Sequence, residues 1–139
     1  MRLFLRSNIV KKFTQTQKKF MDNSSNIHSP LGVVSNITFV MLPDQRDRFL
    51  EWMRGKALAV LFNPQTSAKS PRLQQVAEVG GEAPGPEHGL SIALQAEFKS
   101  AAEAHQWSDT VLAPVLGEYT REFGPHALFF TTLLEIIPL

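Results

Sequence analysis

A chain of 139 residues accommodates one domain with a sizeable core, and its 43% hydrophobic and 19% charged residues are the balance of an ordinary soluble globular protein. The absence of cysteine excludes disulfides, thiolate metal sites and a cysteine nucleophile and is compatible with a reducing cytoplasm, and no run approaches the roughly 20 apolar residues a membrane span requires. The net charge of +1 conceals a division: residues 1–21 carry six basic side chains and no acidic one, while the rest of the chain carries 8 basic and 13 acidic.

The basic residues Arg2, Arg6, Lys11, Lys12, Lys18 and Lys19 are set among Gln, Thr, Asn and Ser, and "MDNSSNIHSP" has the composition of a loop. A short charged segment cannot repay the entropy of ordering, so a disordered basic arm is expected over residues 1–30 and a folded domain over 31–139. Two other readings compete for the arm: an amphipathic or targeting segment, and an extension upstream of a native start at Met21. "LFL" at Leu3–Leu5 is too short for a signal-peptide core. No recognition module surrounds the six charges, so nucleic acid is not an expected partner.

"VVSNITFVML" is short, β-branched and partly alternating, and predicts a first strand. "PDQRDRFLEWMRG" predicts a helix, with Pro43 suited to the first turn and Asp44 and Asp47 opposing the positive end of the dipole. Phe49, Leu50 and Met53 share one face, and Gly55 offers a stop or a break. "ALAVLF" suits a further helical turn or a buried connection, ended by Asn63-Pro64. Strands two and three are expected at Ser70–Val79 and Gly89–Phe98, joined by the Gly- and Pro-dense "GGEAPGPEHG". In the third strand Leu90, Ile92, Leu94, Ala96 and Phe98 line one face, and the smaller, wetter Ser91, Ala93, Gln95 and Glu97 line the other. Ser100 to Glu103 has capping-box spacing and opens a second helix, whose apolar face includes Ala104, Val111, Leu112, Val115 and Tyr119. Pro114 falls inside that pattern and should kink or split it, and Gly124-Pro125 ends it.

The last segment, "HALFFTTLLEIIPL", is apolar on both sets of alternate positions. Leu128, Phe130, Thr132, Leu134 and Ile136 form one set. Phe129, Thr131, Leu133, Glu135 and Ile137 form the other. The resulting order β-α-β-β-α-β builds a ferredoxin-like α+β domain, a four-stranded antiparallel sheet with both helices on one face. Its second face is left bare, and an apolar bare face marks an interface. A homodimer through the sheet is therefore expected, with Phe129, Thr131, Leu133 and Ile137 as interface candidates.

"NITF", "FLEWM", "LAPVLGEYTREFG" and "FFTTLLEII", in this order, resemble the bacterial domain-of-unknown-function family number 4286. The resemblance covers Val33 to Ile137 and rests most on "TLLEII" preceded by "EFG". It implies membership of the dimeric α/β-barrel group, in which two ferredoxin-like sheets pack face to face, and it implies no activity. Where the resemblance leads one to expect "HIP" after the tryptophan-containing helix, this chain has "KAL" at Lys56–Leu58, so no histidine role carries over.

The four histidines, His28, His88, His105 and His126, do not pair at i+3 or i+4, so no metal site is expected. His105 suits a base lining a cleft or a solvated helix residue; His126 suits a turn. Trp52 and Trp107 suit the walls of a pocket or ordinary core and interface packing. Arg121 suits an anionic ligand or a surface pair with Glu118 or Glu122. Glu135, set among apolar neighbours, is either a buried acid/base candidate or a strand-end group reaching solvent. Gly80-Gly81 has no following Lys-Ser/Thr and is no phosphate cradle. Trp52, His105, Trp107, Arg121 and Glu135 are thus the ligand-cleft candidates. No catalytic constellation and no cofactor are expected. The expected function is a cytoplasmic homodimeric structural or interaction module, and the alternative is a cofactor-independent small-molecule binder or enzyme using the cleft between helices and sheet.

Overall fold

The computed structural model describes residues 32–77 and 89–139. The arm at 1–30, Glu78 and Val79 of the second expected strand, Gly80-Gly81, His28 and His88 lie outside the described residues. Strands β1 (Val33–Met41), β2 (Lys69–Gln75), β3 (Leu90–Phe98) and β4 (Leu128–Glu135) form one antiparallel sheet in the order β2-β3-β1-β4. With the two helical rods between them this is the ferredoxin-like arrangement. The β-branched and aromatic alternation of β1 explains its central place: Val33, Ile37, Phe39 and Met41 are buried on one face while Val34, Asn36, Thr38 and Val40 are half-buried on the other. Ile92, Leu94, Ala96 and Phe98 of β3 are buried on the same side.

The first rod opens with a 3-10 turn at Pro43–Gln45, where proline stands at the first positions and Asp44 in the first turn. It continues as α1 (Arg46–Trp52), a π-helical turn (Met53–Ala57) and α2 (Leu58–Leu61). "ALAVLF" is therefore a further helical turn. Gly55 does not stop the rod; it sits inside the π turn, and a Cβ added there would meet nothing within 4 Å. The second rod runs α3 (Ala101–Trp107), a π turn (Ser108–Leu112) and α4 (Ala113–Phe123). Ser100 Oγ accepts from the Glu103 N–H at 3.2 Å and caps its start. Pro114 cannot donate to Thr110, and its ring crowds that carbonyl; the wide π turn just before it relieves the crowding, so the rod bulges instead of breaking. Gly124, at φ 81° and ψ −168°, ends the rod in a backbone region that only glycine occupies readily.

Both rods cover the face that carries Ile37, Phe39 and Leu94. Phe39 packs against Tyr119 (ring centroids 4.9 Å) and Phe49 (5.1 Å), and Phe98 against Trp107 (5.1 Å). Each such ring contributes about 1.5–3 kcal/mol by leaving water. The Tyr119 hydroxyl, inside this layer, donates to the Val40 carbonyl at 2.8 Å. The other face of the sheet has no second layer among the described residues.

Candidate functional site

The rods meet along a charged seam. Lys56 Nζ donates to Glu118 Oε2 at 2.6 Å, and Arg48 Nη2 donates to the Glu122 carbonyl at 2.8 Å and to its carboxylate at 3.3 Å. Arg48 also lies 4.7 Å from the centre of the Phe123 ring. Lys56 is the residue that stands where the resemblance called for a histidine. The Glu118 carboxylate, by hydrogen bond and charge, holds Lys56 above its ordinary range. Lys56 in turn, chiefly through that hydrogen bond, holds Glu118 below the usual carboxylate range. Exposed pairs of this kind add little to stability, and they set how the rods align. Neither Glu118 nor Glu122 takes Arg121 as its hydrogen-bonded partner, because each carboxylate is met by the opposite rod. Sequence reading could not find these pairs: their members are 62 and 74 positions apart.

The five cleft candidates divide into two sets. Trp52 is half-buried against Phe49, Phe123 and Tyr119, with ring centroids 5.7–6.0 Å away, and its buried Nε1 faces the Glu118 carboxylate without closing a well-formed hydrogen bond. Arg121, exposed, adds its charge beside Glu118. Both belong to the end of the sheet marked by Phe39. Trp107 is a core residue whose Nε1 donates to the Leu61 carbonyl at 2.9 Å, closing the end of the first rod. It packs at a tilt against Phe98, which is opposite Val33, which is opposite Glu135. Glu135 is exposed at the end of β4, and His105 is half-buried on α3 with its Nε2 unpartnered. Val33 and Phe39 are six residues apart, so the two sets are separated by about 20 Å of strand, and one pocket does not collect them. His126 is an exposed turn residue.

Between rods and sheet the space is filled by Phe39, Phe49, Leu94, Leu112 and Tyr119, all buried. A shallow open hollow lies elsewhere, on the outer side of the first rod, lined by Arg46, Asp47, Leu50, Glu51, Arg54 and Gly55. Among the described residues no group of three or more His, Asp or Glu side chains is placed to hold a metal ion, and no helix is long and apolar enough to cross a membrane.

The register decides what the bare face carries. Directly opposed residues of an antiparallel ladder share a face. Val34, Asn36, Thr38 and Val40 oppose Leu134, Thr132, Phe130 and Leu128, so those four β4 residues lie on the bare side. Phe129, Thr131 and Leu133 oppose Phe39, Ile37 and Ser35 and lie on the helix side, and Ile137 continues that set beyond the strand. The expectation that Phe129, Thr131, Leu133 and Ile137 front the bare face is therefore corrected: a one-residue change of parity exchanges the faces, and only the ladder to β1 fixes it. The bare face is polar at its centre, where Gln95 donates to Asn36 Oδ1 at 3.3 Å and Asn36 donates to Thr38 Oγ1 at 3.2 Å. Its apolar surface gathers on β4, where Leu128 is 54%, Phe130 59% and Leu134 46% exposed. Phe129, on the helix side, is still 38% exposed, because the rods do not reach over the edge strand.

No family model matches the chain, and no curated protein matches it. Among solved structures it is similar to a dimeric ferredoxin-like protein from an uncultured marine organism, with TM-score 0.55 and 12% identity over 79% of this chain and 99% of that one. At that identity the likeness establishes the fold: this chain is a ferredoxin-like domain.

Proposed function

We propose that the chain is a homodimeric interaction module whose contact surface is the apolar part of its sheet, centred on β4. The observation that carries this reading is the exposure of Leu128, Phe130 and Leu134 beside a helix–sheet interior that is already full. A patch of this kind, rimmed by polar residues, marks a surface that is covered in the working state. The similar marine protein is itself dimeric, which agrees with the reading. The alternative, a small-molecule binder or enzyme using the cleft, needs room where Phe39, Phe49 and Tyr119 are packed. We place the module at residues 31–139, and removal of residues 1–30 should leave the melting temperature nearly unchanged.

The test is the native mass of the full chain by size-exclusion with light scattering over a dilution series. A mass of two chains that persists on dilution is the expected result. A single chain at every concentration overturns the reading.

A further inference from the structure

We infer that β4 pairs edge to edge with β4 of a second copy, antiparallel across a twofold axis, so that the two sheets run on as one. This rests on the homodimer reading and goes beyond it, because a sheet-mediated dimer can equally form by stacking two bare faces.

Three observations favour the edge. The first is that apolar side chains stand exposed on both sides of β4: Leu128, Phe130 and Leu134 on the bare side, Phe129 on the helix side. Stacking of bare faces covers only the first group and would bury the polar centre around Asn36 and Gln95 against its own copy. Edge pairing extends both sides of the strand at once.

The second is the free backbone. Ile136 donates its N–H inward to the Gly32 carbonyl at 3.0 Å. Backbone groups alternate along an antiparallel strand, so Leu134, Thr132, Phe130 and Leu128 also face β1. Phe129, Thr131, Leu133 and Glu135 then present their N–H and C=O groups to the outer edge, where no strand lies among the described residues. An edge without proline, bulge or central charge is a template for another strand, and β4 has none of the three between Leu128 and Leu134.

The third is self-complementarity. Side chains stay on their own face across a twofold only if opposed positions have the same parity. Centring the axis on Thr131 opposes Phe129 to Leu133 of the second copy, Leu128 to Leu134, and Thr131 to Thr131. Phe130 meets Thr132 of the second copy, so apolar side chains line both faces of the seam, and Glu135 lies beyond these pairs.

The cysteine-free chain allows a clean test. In this pairing the two Thr131 positions are directly opposed and hydrogen-bonded, about 5.5 Å apart at Cα, inside the Cα range of a disulfide with the Cβ atoms at the long end of its reach. The two Thr132 positions are diagonal, about 7–8 Å apart. In a stacked dimer Thr131 points away from the partner and Thr132 points toward it. The full-length Thr131→Cys and Thr132→Cys chains are oxidised and run without reductant, beside amide exchange on the wild-type chain. The expected result is a covalent dimer in most of the Thr131→Cys chain and little in Thr132→Cys, with slowed exchange at the Phe129, Thr131 and Leu133 amides. Crosslinking through Thr132 alone overturns edge pairing and leaves the homodimer standing; if neither crosslinks in a chain that scatters as a dimer, rapid exchange at the Phe129, Thr131 and Leu133 amides overturns it and slow exchange supports it. If both crosslink, rapid exchange at those three amides overturns it and slow exchange supports it. A monomeric wild type removes the homodimer and this pairing together.

Discussion

The two edges of the sheet are built on opposite terms. β2 carries Lys69 and Arg72 on the bare face, contains Pro71, and departs from regular register between Lys69 and Arg72, where Ser70 takes the left-handed value φ 56°. Each of these discourages another strand from docking: charge must be desolvated, proline offers no N–H, and a bulge bends the row of backbone groups. β4 is regular over its whole length, carries no proline, bulge or charge before Glu135, and exposes apolar side chains on both sides. One sheet therefore has a guarded edge and an inviting one, and the difference bears on the proposed interface more directly than hydrophobicity alone, which would also have pointed to β1 and β3.

The largest effect that could break this comparison is at Phe130. Phe130→Glu places a charge in the middle of the exposed set, and dissociation on dilution should begin at concentrations at least tenfold higher, equivalent to about 1.4 kcal/mol or more of binding free energy. Arg72→Glu on the opposite edge should leave the native mass unchanged; if it dissociates the dimer and Phe130→Glu does not, the edges have been assigned the wrong roles. Next in size is Gly124→Ala. It forces a side chain into a backbone region that only glycine tolerates, in the turn that leads into β4, and should cost about 1–3 kcal/mol of stability in denaturant unfolding.

Tyr119 gives the pH arm of the comparison. Burial pushes its hydroxyl up from 10.0 to about 12, and the neutral hydroxyl donates to Val40 between the two edges. A group whose pKa is raised by folding contributes fully below its unfolded value and loses that contribution as pH rises through the folded one. Stability should therefore be level with respect to this group up to about pH 10 and fall between about 10 and 12. Tyr119→Phe should lower stability by about 1 kcal/mol at neutral pH and make the alkaline fall shallower. An unchanged alkaline fall would mean that other groups, Lys56 among them, cause it. The smallest effect is expected at Ser70→Gly, which relieves the positive φ at the β2 bulge and should stabilise by up to about 1 kcal/mol without altering the native mass.

Much of the fold was legible because it depends on local pattern. The alternation of Val33 to Met41, the capping spacing at Ser100 and the stop at Gly124 are short-range signals, and the structure follows each. Gly55 was legible as a stop or a break: the rod does not stop, but the α-helix gives way there to a π turn, and rod packing overrides a cost of about 1 kcal/mol. Pro114 was read correctly as a disturbance, but its form, a π turn and not a break, depends on the rod being held against the sheet on both sides of it. The parity of β4 was beyond sequence reading, since both alternate sets are apolar and only pairing with β1 tells them apart. The seam of Lys56 with Glu118 and Arg48 with Glu122 was hidden for the same reason: contact across two rods leaves no periodic trace.

The place of β1 also bears on how quickly the chain finds its structure. Val33 is paired on one side with Phe98 and on the other with Glu135, so the central strand has no partner nearby in sequence. Both ladders must close long loops before either returns free energy, which slows folding relative to a chain whose central strand pairs with its sequence neighbours. Weakening β1 should accordingly slow refolding itself, whereas damage confined to the outer positions of β4 should mainly hasten unfolding.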